Sequence, residues 1–122
     1  MKHGKKTWLV PDGYYNSKSN GYALSHESIC VLNTSEEDAV IDITLYFEDR
    51  DKMEGFKAYC PAGRANHVRM DSLRTENGES VPMDTPYAFL AESSVEVVMQ
   101  YSRMDTSQAE MTLMTTIAYP VG

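Results

Sequence analysis

The sequence predicts an all-β fold, an antiparallel β-sandwich of about eight short strands forming a single domain over residues 1–122. Three observations carry this expectation. Apolar residues recur at period two rather than at the helical period. Turn-forming clusters punctuate the chain at short, regular intervals. No long amphipathic helical pattern occurs anywhere.

The elements follow in order. Thr7-Trp8-Leu9-Val10 reads as a short first strand, and residues 12–21 as a loop rich in Gly, Asn, Ser and Tyr. Residues 28–34 and 39–48 read as an antiparallel hairpin about the charged turn Ser35-Glu36-Glu37-Asp38. The second of these strands is the clearest, with Ile41, Ile43, Leu45 and Phe47 on one face and Asp42, Thr44, Tyr46 and Glu48 on the other. The turn has capping-box spacing, but the period that follows is two, which argues against a helix. Glu48-Asp49-Arg50-Asp51-Lys52 is a charged loop that ends at Gly55. Residues 56–60 form a short strand stopped by Pro61-Ala62-Gly63, and residues 66–70 another. Residues 71–86 are a polar excursion with one helical turn at Asp71-Ser72-Leu73. Residues 87–91 and 95–103 read as a second hairpin about Glu92-Ser93-Ser94. A turn over 106–110 leads to a last strand over 112–119, ended by Pro120.

Composition narrows the function. The formal charge of −7 argues against general nucleic-acid binding, which needs a basic surface. No apolar run is long enough for a membrane span, and Trp8-Leu9-Val10 stops at Pro11 without a signal-peptide core. A cytoplasmic location is expected. Cys30 and Cys60 lack metal or redox spacing and read as small buried apolar residues.

Three polar groups stand beside strands. They are Ser25-His26-Glu27-Ser28, then His67-Val68-Arg69, then Arg103-Met104-Asp105 with Gln108. His67 and Arg69 are two apart and project from one sheet face. An Arg fork grips carboxylates, phosphates or vicinal hydroxyls. Trp8, Tyr14, Tyr15 and Tyr22 offer stacking faces, although tyrosines in strands more often serve packing. The candidate ligand-binding set is therefore His26, Glu27, His67, Arg69, Arg103, Asp105 and Gln108. Set against it is a structural reading in which the arginines pair with nearby acids and the histidines are satisfied in place. A metal-dependent enzyme built on His26, Glu27, His67 and Asp105 is a weaker alternative, because no established ligand spacing occurs. No nucleophile elbow or other catalytic signature is present, so no catalytic residue, metal site or cofactor is assigned.

Taken in order, Ser25-His26-Glu27-Ser28-Ile29-Cys30-Val31-Leu32-Asn33, Ile43-Thr44-Leu45-Tyr46-Phe47, Pro61-Ala62-Gly63-Arg64, His67-Val68-Arg69, Val97-Val98-Met99-Gln100, Arg103-Met104-Asp105 and Thr116-Ile117-Ala118-Tyr119 resemble the sensory rhodopsin transducer family over nearly the whole chain. The resemblance implies a small cytoplasmic β-sandwich protein, assembling as a homotetramer and acting in signal transduction without catalysis. It also implies either a small polar ligand, a sugar or related metabolite, or a membrane photoreceptor as partner. A pure protein-binding adaptor on the cytoplasmic face of such a receptor is the second reading. Residues 12–24 and 75–84 depart from the family pattern.

Overall fold

A computed structural model describes residues 2–21 and 23–122. Eight strands are arranged antiparallel: β1 (Lys5–Gly13), β2 (His26–Asn33), β3 (Ala39–Phe47), β4 (Met53–Cys60), β5 (Arg64–Arg69), β6 (Tyr87–Asp105), β7 (Thr112–Ile117) and β8 (Tyr119–Val121). The helical turn expected at 71–73 is a 3-10 turn at Met70–Ser72. The fold is an all-β sandwich.

β6 organises both layers. Its first half pairs with β3 and β1, giving the sheet order β4-β3-β6-β1-β8. Its second half pairs with β2 and β7, giving β5-β2-β6-β7. Tyr87, Phe89, Ala91 and Ser93, then Val97, Met99 and Tyr101, are buried, so period two runs through both sheets without a slip. Glu92-Ser93-Ser94 is therefore not a turn between two hairpin strands, as expected, but the middle of one strand. Its serines accept backbone bonds, one local and one from β3: Val95 N–H reaches Ser93 Oγ at 3.4 Å and Val40 N–H reaches Ser94 Oγ at 2.9 Å.

The expected hairpin of β2 with β3 is also corrected. β2 pairs with β5 and β6, while β3 pairs with β4 and β6, so the connection 34–38 crosses from one sheet to the other. Asn33 explains the crossing. Fully buried, it donates from Nδ2 to Glu37 O at 2.8 Å and Cys60 O at 3.1 Å, and its Oδ1 accepts the Ser35 N–H at 3.0 Å. One side chain thus binds the crossover to the end of β4 and satisfies backbone groups that no ladder reaches. The last expected strand divides in two where Ala118 turns inward and donates its N–H to Met99 O at 3.2 Å.

One core joins the two layers, with Trp8, Val10, Ile29, Val31, Ile41, Ile43, Leu45, Phe56, Phe89, Met99 and Tyr101 at its centre. The inward face of β3 is Ala39, Ile41, Ile43 and Leu45, as its period predicts. Trp8 lies in this core with its indole N–H shared between Lys5 O and Val97 O, so it is packing rather than a stacking face. Cys60 is buried and Cys30 partly so, and both thiols are free. Burial pushes the Cys60 thiol up, leaving it in the protonated form that suits a core residue. Among the described residues, no helix is long and apolar enough to cross a membrane.

Candidate functional site

Strand alternation sets the site. β2 turns Ile29, Val31 and Asn33 inward, and the same period turns Glu27 inward one pair earlier. Glu27 is 1% exposed and is the one buried carboxylate among the described residues. A carboxylate taken from water must find donors. Here Tyr87 Oη donates to Oε1 at 2.7 Å, the Tyr14 backbone N–H donates to Oε2 at 2.8 Å, and Tyr101 Oη donates to Oε2. Tyr87 belongs to the first sheet and Tyr101 to the second, so Glu27 ties the two layers together and holds the loop after β1 against them. Burial first, then the neighbouring Glu27 charge, raises both phenols above their ordinary range. They remain donors at every physiological pH.

The close approach needs a glycine. Gly13 pairs with Tyr87 across β1 and β6, and a Cβ at Gly13 would lie 2.6 Å from the Tyr87 ring. Tyr87 can reach Glu27 because nothing projects from position 13.

Beside this clamp lies a cleft of about 340 Å³, lined by Asp12, Tyr14, Asn16, Pro86, Arg103, Met104 and Asp105. Arg103 stands opposite Glu27 in the β2–β6 register, and its guanidinium reaches outward to Asp12 Oδ2 at 3.7 Å. Asp105 Oδ1 accepts the Ser107 hydroxyl at 2.6 Å and the Ser107 N–H at 2.8 Å. These bonds from Ser107 hold its carboxyl below the usual range. Next to Asp105 in the chain, buried Thr106 is fastened to buried Ser25. Thr106 N–H donates to Ser25 Oγ at 2.9 Å, and Ser25 Oγ donates to Lys18 O at 2.7 Å. The cleft thus presents a cationic fork, two carboxylates, an amide and one aromatic ring. That donor and acceptor mix matches a polyhydroxylated ligand. A hollow of about 500 Å³ near Lys2, Lys6, Glu36, Glu37 and Glu96 is larger, but its charged side chains are mostly solvent-exposed.

The sequence-derived candidates divide between two faces. Glu27, Arg103 and Asp105 share one face of the second sheet, and the cleft gathers the last two above the first. His26, His67 and Arg69 alternate onto the other face, where Arg69 pairs with Ser28 and His67 with Cys30. His26 engages Leu24 O through Nδ1 at 2.8 Å, and Arg69 forks onto Asp71 at 3.0 and 2.7 Å. Gln108 is exposed in the bend after Thr106. Tyr14 lines the cleft, Tyr15 packs against the core, and Tyr22 lies outside the described residues. Asp12, Asn16, Tyr87 and Tyr101 were not singled out from sequence. The signal for the clamp was available, since a Glu at the inward position of an apolar period needs partners.

Among the described residues no three His, Cys, Asp or Glu side chains gather in a way that would hold a metal ion. No curated protein shows significant similarity to the chain. Similar solved structures include two that cover nearly the whole chain. One is a crystal structure of Thermotoga maritima 1070, at 39% identity and TM-score 0.86, covering 98% of this chain and 97% of that one. The other is the Anabaena sensory rhodopsin transducer, at 34% identity and TM-score 0.75, covering 90% and 96%. The family model described as Anabaena sensory rhodopsin transducer matches residues 3–120. The chain belongs to the Anabaena sensory rhodopsin transducer family.

Proposed function

We propose that this protein is a non-enzymatic signal transducer that binds a small polar ligand, a sugar or related metabolite, in the Arg103 cleft. The carrying observation is the Glu27 clamp. One buried carboxylate holds the Tyr14 backbone at the cleft wall, Tyr101 beneath it and Tyr87 in the opposite sheet. A ligand that moves Tyr14 or Arg103 alters the contacts that couple the two layers, which is a physical route for relaying occupancy. Arg103, Asp105, Asp12 and Asn16 make the direct contacts in this reading, and Glu27 fixes the Tyr14 backbone beside them.

The protein acts in the cytoplasm and assembles as a homotetramer, as the family resemblance implies. Exposed apolar side chains support assembly. Leu113 is 67% exposed, Ile117 61% and Tyr119 67%, all on β7 and β8. β7 overhangs the sandwich with both faces uncovered, which is an edge that soluble proteins normally cover.

A second reading, a protein-binding adaptor on the cytoplasmic face of a membrane receptor, is favoured by the similarity to the Anabaena sensory rhodopsin transducer. A thermal-shift screen of neutral sugars, sugar acids and polyols separates the two. The ligand reading expects a saturable rise in Tm that Arg103→Ala removes. No response to any of them, together with capture of a membrane protein, favours the adaptor.

A further inference from the structure

β4 and β5 leave the turn Pro61-Ala62-Gly63 together but enter different sheets, each pairing on one side only. Between them opens a cleft of about 420 Å³, lined by Lys57 and Tyr59 from β4, Asn66, His67 and Arg69 from β5, and Ser72 from the segment that follows. Its charge is unusual for this molecule. Four other clefts each carry at least one lining carboxylate. This one is lined by Lys57, His67 and Arg69 and by no carboxylate, on a chain of net charge −7.

The two permanent cations are oriented but not exhausted. Lys57 Nζ meets Asp42 Oδ1 at 2.6 Å, which uses one of three ammonium donors. Arg69 spends Nε and Nη2 on Asp71, leaving Nη1 free of that pair. Both cationic side chains are more than 40% exposed, so these are surface pairs that stabilise little and yield to a stronger anion. Each of these cleft-lining side chains therefore retains donors for a ligand. Tyr59, 56% exposed, adds a flat apolar face at the same place.

We infer that this cleft is a second binding site, distinct from the Arg103 cleft, and that it takes a phosphorylated small molecule. The phosphate lies among Lys57, His67 and Arg69, and the organic part lies over Tyr59. A planar guanidinium and an ammonium together suit a tetrahedral dianion better than a neutral hydroxylated ring. The site does not depend on ligand binding at Arg103.

Phenyl phosphate is the probe, titrated into the isotopically labelled full chain and followed by amide and side-chain shifts. Saturable shifts confined to residues 57–59, 66–69 and 72 are expected, weakening as salt is raised. Lys57→Ala and His67→Ala, both at exposed positions, should each weaken binding by about tenfold or less, as loss of one charge-assisted contact does. Arg50→Ala, on a different loop, should leave it unchanged. Inorganic phosphate should bind more weakly than phenyl phosphate, and benzoate more weakly still. Shifts spread over the surface, no saturation, indifference to both variants, or benzoate binding as well as phenyl phosphate would each overturn the assignment.

Discussion

Tyr101 donates its hydroxyl to Glu27 from the neighbouring strand, at a point in the core where the carboxylate is 1% exposed. Tyr87 does the same from the opposite sheet. The pair converts a buried charge, normally a liability, into a tie between layers. Glu27→Gln removes the charge and sets an amide N–H₂ against phenol donors. We expect a loss of about 2–3 kcal/mol in urea unfolding. A change within about 0.5 kcal/mol, the size of an ordinary surface substitution, would show that the clamp is not structural.

The same phenols make an alkaline prediction. In the unfolded chain Tyr87 and Tyr101 ionise at about pH 10. In the folded protein both stay protonated well above that, through burial and the adjacent Glu27 charge. Their contribution is present in full below about pH 10 and is lost as pH rises toward the folded values, because only the unfolded state releases the protons. Tm should fall on raising pH past this point. Tyr absorbance should show these two rings titrating only with unfolding, and Tyr101→Phe should flatten the decline.

Gly13 carries a steric prediction. A methyl at this position meets the Tyr87 ring. Gly13→Ala should therefore cost about 1–3 kcal/mol, as overpacking does. It should also weaken the Tyr87–Glu27 bond, seen as an earlier alkaline titration of one tyrosine. A stability gain, as expected where added bulk only restricts the unfolded chain, would contradict the packing argument.

How much of this was legible in the sequence depends on which interactions are local. The strand at Ala39–Phe47 shows in the sequence because its alternation of Ile41, Ile43 and Leu45 is a property of the chain alone. Its pairing partner does not. A charged turn such as Ser35-Glu36-Glu37-Asp38 serves a hairpin or a crossover equally well, and Asn33, through its bonds to Cys60 O and Glu37 O, makes it a crossover. Glu92-Ser93-Ser94 has turn composition, yet the odd-numbered period continues through it, and that continuity was the better guide. For the site, counting by twos from Ile29 puts Glu27 inward and counting from Tyr101 puts Arg103 and Asp105 on its face. The register that sets His26, His67 and Arg69 on the opposite face is a long-range fact, and so is the arrival of Asp12 from the end of β1 and Asn16 from the loop after it.

The overhanging β7 predicts an effect on assembly. Leu113→Lys with Ile117→Lys replaces two large exposed apolar groups by charges. Light-scattering mass should fall below that of the parent, while the far-ultraviolet spectrum of the sheet stays unchanged. An unaltered mass would show that β7 carries no subunit contact.

The ligand-binding cleft is the central claim, and one experiment tests it most directly. Calorimetric titration of a sugar panel into the parent protein and into Arg103→Ala should give saturable binding to at least one sugar in the parent and about a tenfold or greater loss in the variant. The variant should keep a cooperative thermal transition, because the one ion pair of Arg103 among the described residues is an open contact of 3.7 Å to Asp12. Equal binding by the two proteins, or no sugar bound by a folded parent, would contradict the account.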